Sequence, residues 1–88
     1  MQLPGEDLVD QGIRDLRAQR ETAAALLVSI GSPRLRMLGI DVPEPFAGPE
    51  RRLYELLAAE DVDAAHGRYN ALIRRLVSYE RAAATAGA

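Results

Sequence analysis

The residues best suited to chemistry stand close together in the last third of the chain. They are Asp63, then His66, which is the only histidine, and then Tyr69 and Asn70. A spacing of three places Asp63 and His66 on one helix face, which is how helical bundles present metal ligands. A zinc site needs three or four ligands, more than one copy of this pattern supplies. We therefore predict no metal site and no cofactor, and interpret the pair as a helix-start aspartate followed by a partly exposed histidine.

Arginines supply a second option, the binding of an anion. All eleven basic residues are arginine and none is lysine, and guanidinium groups pair bidentately with carboxylates. An enzyme that only positions an anionic substrate between helices could use Arg14, Arg17 and Arg20 with Arg68 or Arg75. No serine has a histidine at a spacing that would activate it. We predict no catalytic residue, so the sequence favours a non-enzymatic role, with this enzyme as the alternative.

Four arginines in the middle of the chain raise the question of nucleic-acid binding. They are Arg34, Arg36, Arg51 and Arg52. The net charge is −2, and the segment 41–63 holds seven carboxylates against two arginines. Phosphate binding requires the opposite balance of charge. The sequence therefore disfavours a nucleic-acid partner.

Length and composition indicate one small cytoplasmic domain. The 88 residues include no cysteine, which excludes disulfides. Neither a secretory leader nor an apolar run of membrane-spanning length is evident, so we expect a cytoplasmic protein without a membrane partner. Exclusive use of arginine with abundant alanine is typical of a GC-rich bacterial genome. We predict a single helical domain over 1–88, with 1–5 and 85–88 frayed.

Apolar residues separated by steps of three and four predict the helices. They indicate two long helices, about 6–30 and 61–84, and two short ones, about 33–38 and 49–59. Only Arg20 interrupts the apolar series of the first. We expect Arg20 to pair with acidic groups of the last helix or of a second chain, or alternatively to lie along the seam with its guanidinium in water.

Local signals set the predicted boundaries. Gly31, Ser32 and Pro33 are suited to a helix end, an N-cap and a first helical position, and so predict a break there. In the proline-rich linker that follows, Ile40, Val42 and Phe46 alternate as though one side lies on the bundle.

Two glycines fall inside the predicted long helices. Gly67 costs about 1 kcal/mol relative to alanine in a helix interior. Because Ala64 and Ala65 beside it are also small, we expect another helix to cross closely there. Gly12 is a candidate for the same role in the first helix.

The charge distribution predicts antiparallel packing of the two long helices. Each has carboxylates at its start and arginines toward its end, which suits the helix dipole. Antiparallel packing then sets the acidic end of one beside the basic end of the other. The predicted fold class is all-α, a small antiparallel helical bundle.

The size of the chain and its long, short, long helix order resemble the all-helical chorismate mutases. The resemblance covers helix order and length but no sequence motif, and the chain has no lysine to match the lysine used by that family. It implies a dimer that binds a dicarboxylate between helices, which is the form that an arginine-lined enzyme would take.

Surplus apolar surface predicts association with another protein. The segment 23–30 is apolar on nearly every side, more than one antiparallel neighbour would cover. We expect a homo-oligomer or a partner-binding regulator of the antitoxin or adaptor kind. The candidate interface residues are Ile13, Leu16, Arg20, Leu27, His66, Tyr69, Asn70, Leu72, Leu76 and Tyr79.

Overall fold

The computed structural model describes residues 2–86, which form four helices and no strand. The helices are α1 (Glu6–Arg17), α2 (Ala23–Met37), α3 (Pro49–Glu60) and α4 (Ala65–Ala86). They pack into a bundle measuring 40 × 24 × 19 Å. The predicted all-α class is confirmed, with two longer helices, α2 and α4, and two shorter ones.

The bounds of the first two helices differ from the prediction, because no single helix spans 6–30. Gln19 has a φ of +60°, which takes the backbone out of the helix. The Thr22 hydroxyl then accepts a hydrogen bond from the Ala25 N–H at 3.1 Å, which satisfies one of the free donors at the start of α2. The apolar spacing continues across the break because α1 and α2 both turn their apolar sides toward one core.

The loop between α1 and α2 is held by the carboxylate of Asp15, which is 4% exposed. It accepts hydrogen bonds from the Thr22 hydroxyl at 2.7 Å, from Gln11 at 2.8 Å and from Arg20 at 3.0 Å. The bonds from Thr22 and Arg20 lower the pKa of Asp15. Arg20 thus pairs with an aspartate five residues earlier and not with an acidic group of the last helix, which was one of the partners that we predicted, while its side chain is 60% exposed.

The break predicted at Gly31–Pro33 is absent, and the predicted helix 33–38 forms the end of α2. An interior proline costs about 3 kcal/mol or more, but Pro33 is exposed, and nine of the fifteen residues of α2 are buried against the rest of the bundle. Gly31 lets the Leu76 side chain approach closely, since a Cβ there would lie 3.0 Å from both Leu76 methyl groups and would require them to shift. The helix ends instead at Met37, and Gly39, two residues beyond it, has a φ of +88°, the usual left-handed conformation after a helix C-terminus.

Helix α2 is the centre of the bundle and is covered by the other three helices. Residues from all four helices contribute to one hydrophobic core. The largest fully buried side chains are Leu26, Leu27, Leu35, Leu53, Val9 and Val28. The apolar surplus of segment 23–30 is therefore accommodated within one chain.

The linker before α3 lies on the bundle, as predicted from its alternating apolar residues. Val42 is buried, and Ile40 and Phe46 pack against the core. The Phe46 N–H donates a hydrogen bond to the Ser29 hydroxyl at 3.1 Å, which fixes the linker to α2. The start of α3 at Pro49 is also as predicted.

Helix α4 begins four residues later than the predicted bound at 61. The Asp61 carboxylate accepts hydrogen bonds from the N–H groups of Asp63 and Ala64, at 3.1 and 3.3 Å, and so holds a turn before the helix. Arg75 of α4 donates to Asp7 of α1 at 3.2 Å. The acidic start of the first helix therefore meets the basic half of the last, as the charge pattern predicted.

The fraying predicted for residues 1–5 and 85–88 stays a prediction. Leu3 packs against the core, and α4 continues to residue 86. Met1 and residues 87–88 lie outside the described part. In the part of the chain that the structure describes, no helix is long and apolar enough to cross a membrane.

Candidate functional site

The polar residues at the start of α4 form a small surface group. His66 Nε2 lies 3.2 Å from the amide nitrogen of Asn70, and the ring of Tyr69 packs against Tyr54 with centroids 6.0 Å apart. Burial, and to a smaller extent the negative charge of Glu50, raise the pKa of Tyr69. Among the described residues, no group of three or more histidine, aspartate and glutamate side chains is placed to hold a metal ion.

The arginines proposed for an anion site are engaged by other residues of the chain and do not line one cleft. Arg14 donates to Gln11 at 3.0 Å, Arg17 lies 4.0 Å from Asp41, and Arg20 belongs to the α1–α2 loop. Arg14, Arg17 and Arg20 are absent from the lining of both clefts that lie beside α4. The two arginines of α4 that we considered with them, at positions 68 and 75, lie in a different part of the surface.

Three of the four arginines considered for nucleic acid have separate partners within the chain. Arg51 pairs with Glu55 at 3.1 Å, Arg52 pairs with Glu21 at 3.3 Å and lies over the Phe46 ring, and Arg36 donates to the carbonyl oxygens of Val42 and Pro43. The positive charge of Arg34 acts to lower the pKa of Glu80 of α4. Within residues 2–86, these four arginines therefore do not form a row of unpaired guanidinium groups.

Four of the ten predicted interface residues lie in the core, namely Leu16, Leu27, Leu76 and Tyr79. Three more are half-buried against it, Ile13, Tyr69 and Leu72. Arg20 and His66 are exposed and Asn70 is half-buried. A contact between two chains through the four core residues would require helices to separate or exchange. The interface assignment stays a prediction.

The two helical glycines have different surroundings. A Cβ at Gly12 would overlap the carbonyl oxygen of Ala24 and a methyl group of Val28, so α1 and α2 cross closely there, as predicted. A Cβ at Gly67 would meet nothing within 4 Å. The close neighbour predicted for Gly67 is therefore absent from the described chain, and the glycine faces open space.

A cleft lies between α3 and α4, beside the buried stripe of α4. Its volume is about 330 Å³, and it is lined by Leu57, Arg68, Ala71, Leu72 and Arg75. Leucine and alanine supply three of its five lining residues, and arginines supply the other two. A mostly apolar lining with a few polar groups is the usual composition of a binding surface.

A second cleft of about 310 Å³ continues from the first. It lies between α4 and the segment before α1, and its lining residues are Pro4, Gly5, Ala71, Arg74, Arg75 and Ser78. Since Ala71 and Arg75 line both clefts, we treat the two as one surface and name it the α4 groove. Gly5 allows its far wall to form, because a Cβ there would lie 2.8 Å from the Arg75 carbonyl oxygen.

The three guanidinium groups of the α4 groove have hydrogen-bond donors to spare. Arg68 is 4.0 Å from Glu60, beyond hydrogen-bonding distance, and Arg75 uses one nitrogen on Asp7. Within residues 2–86, Arg74 has no carboxylate within 4.0 Å. Each guanidinium carries five N–H donors. The groove can therefore bind carboxylates without breaking buried ion pairs.

The sequence contained part of the signal for this groove. Arg68, Arg74 and Arg75 fall outside the predicted seam of the last helix, as do the small residues Ala71 and Ser78. Helical spacing alone could not show which exposed face has walls. The walls come from α3 and from the segment before α1, and both are brought to α4 only by folding.

No protein-family model, curated protein or solved structure matches this chain. The helix order that resembles the chorismate mutases is altered, since the first long helix of that layout is divided between α1 and α2. The chemistry of the α4 groove itself is the basis for assigning a role.

Proposed function

We propose that this protein is an interaction module that binds a partner protein through the α4 groove. The observation that supports the proposal is that the two clefts adjoin, since Ala71 and Arg75 line both. Together they offer an open surface whose lining combines apolar side chains with three arginines. Protein interfaces combine these two features, with an apolar centre and a polar rim.

The composition of the groove favours binding over catalysis. Its side chains are those of leucine, alanine, proline, arginine and Ser78, and it contains neither a carboxylate nor a histidine. Arginine stays protonated at neutral pH, and a serine without a neighbouring base is a weak nucleophile. The arginine-lined enzyme is therefore less well supported than an interaction module.

A heterologous partner is better supported than self-association through α2. The expectation of a homo-oligomer depended on apolar surface around segment 23–30, and that surface is buried by the chain's own helices. By contrast, the clefts beside α4 are open to solvent in the described chain and are not covered by another helix. A regulator or adaptor that carries a partner on α4 fits this distribution.

Photo-crosslinking in the source cells tests the proposal. A photoreactive amino acid at the exposed position Ser78, within the groove, should give a discrete adduct with another protein. The same amino acid at Glu55, on the exposed side of α3, should give none. The change Ala71→Trp fills the groove and should abolish the Ser78 adduct. Equal adducts from both positions, or an adduct that survives Ala71→Trp, would contradict the proposal.

A further inference from the structure

We infer that the occupant of the α4 groove is an acidic amphipathic helix of a second protein. This inference rests on the proposed function, since it assigns the chemistry of the partner at that same surface. Three features support it: the small residues along α4, the free donors of the arginines, and the charge clash that a second copy would meet.

Small residues on one side of α4 allow a helix to approach closely. Gly67, Ala71 and Ser78 are all exposed and follow one another by four and seven residues, which keeps them on one face. With only hydrogen or short side chains there, a partner helix can approach to the close end of the usual interaxial distances, about 8 Å. The open space at Gly67, in the first turn of α4, leaves room for such a helix.

The dimensions of the groove suit a short helix. The stretch from Arg68 to Ser78 rises about 15 Å along α4, at about 1.5 Å per residue. A partner of roughly three turns covers that length. Its apolar side chains would enter the cleft floored by Leu57 and Leu72, in the manner of helix-in-groove recognition.

The charges along the groove determine which helix fits. The side chains of Arg68 and Arg74 make no hydrogen bond within the described residues, and Arg75 keeps donors beyond those used on Asp7. A carboxylate paired with a guanidinium group forms a charge-assisted, often bidentate, hydrogen bond. Aspartate or glutamate beside the apolar stripe of the partner would therefore be matched on both edges of the groove.

A second copy of this chain is a poor occupant for the same reason. In an antiparallel pair of α4 helices centred on Ala71, Arg68 of each copy would face Arg74 of the other. In a parallel pair each arginine would lie beside its own counterpart. Either arrangement brings like charges together, which suppresses association.

A selection with displayed peptides tests the inference. The probe is a library of peptides of about 14 residues, roughly four helical turns, with an apolar stripe of leucine and alanine. Positions flanking the stripe are randomised among glutamate, lysine, glutamine and serine. We expect the immobilised full chain to enrich peptides with glutamate at the flanking positions. Enrichment of lysine or of neutral residues there would overturn the inference.

Two matched charge-reversal variants test whether peptide binding depends on the arginines of the groove. Arg74→Glu should weaken the enriched peptides about tenfold, the size of effect expected when one charge pair is replaced by a repulsive pair. Arg81→Glu makes the same charge change on an exposed residue of the same helix outside the groove, and should leave affinity within about twofold. Equal losses for both variants would indicate attraction to net charge alone and would overturn the inference. Circular dichroism establishes that both variants remain folded.

The outcomes separate this inference from the proposed function. Some enriched peptides could lose binding with Ala71→Trp and yet carry no acidic residues. That result would support an interaction module that binds through the groove, and it would contradict the acidic partner. A Ser78 adduct formed between two copies of the chain would likewise replace the acidic partner with self-association. If no peptide binds in a way that Ala71→Trp abolishes, and Ser78 gives no adduct, both proposals fail.

Discussion

The Thr22 hydroxyl donates a 2.7 Å hydrogen bond to the Asp15 carboxylate, seven residues earlier. The same oxygen accepts a hydrogen bond from the Ala25 N–H. One side chain therefore caps α2 and fastens α1 to it. This pair joins the two helices across the turn at which apolar periodicity predicts continuous helix.

Stability should depend on the charge of Asp15 at acid pH. Its pKa is lowered by the hydrogen bonds from Thr22 and Arg20, so the folded state binds a proton less readily than the unfolded state. The carboxylate therefore contributes its full stabilisation above the unfolded value of about 3.9, and that contribution is lost as pH falls through the lower, folded value. Urea unfolding as a function of pH measures this.

The matched control for Asp15→Asn is Asp41→Asn. Asp41 is fully exposed and only 4.0 Å from Arg17, so its replacement should leave the unfolding free energy almost unchanged. Asp15→Asn should lower it at neutral pH, and the difference from the native protein should shrink below about pH 4. A constant difference across that range would show that the charge of Asp15 is not what stabilises the loop.

The two helical glycines should respond to alanine in opposite directions. Gly12→Ala places a methyl group against the backbone of Ala24, and overpacking of this kind typically costs about 1–3 kcal/mol. Gly67→Ala, in the first turn of α4, meets open space and should stabilise the protein by about 0.4–1 kcal/mol, chiefly by restricting the unfolded chain. Chemical denaturation of the two variants distinguishes a close helix crossing from an unconstrained position. Similar stabilities for both would contradict the crossing at Gly12.

Leu27 should behave as a core residue although its position also suggested an interface. Its side chain is fully buried within one chain, so Leu27→Ala should lower the unfolding free energy by about 2–5 kcal/mol. Met37, also on α2, is 80% exposed, and Met37→Ala should change it by no more than about 0.5 kcal/mol. These values are to be measured at several protein concentrations. A strong concentration dependence for Leu27→Ala alone would instead place Leu27 between chains.

Glu80 should destabilise the folded state at neutral pH. Burial raises its pKa, and the nearby charge of Arg34 opposes that effect only in part. The fold thus favours the protonated form, whose contribution is complete at acid pH and is lost as pH rises through the folded value. Glu80→Gln imitates the protonated form and should stabilise the protein at pH 7, with the gain vanishing below about 4.3. Exposed Glu55→Gln is the control, and a gain that persists at acid pH would contradict this account.

Much of the fold follows from local sequence patterns. Steps of three and four between apolar residues identify nearly every helical residue, because amphipathic spacing reflects which side of a helix is buried whatever it packs against. The positions of α3 and of the linker with Val42 are also local properties, set by Pro49 and by alternating apolar residues. The pairing of Asp7 with Arg75 could be anticipated because opposite charges at helix ends favour one direction of packing.

Other features depend on contacts that no local pattern encodes. The helix break at Gln19 depends on a carboxylate and a hydroxyl that meet only when α1 and α2 fold together, and the continuity of α2 through Pro33 depends on burial by three other helices. The segment before α1 and the middle of α4 form one groove although about seventy residues separate them, as the Asp7–Arg75 pair illustrates with a separation of 68. Periodicity could place arginines and small residues on one side of α4. The walls that make that side a groove exist only once the distant ends of the chain are packed together.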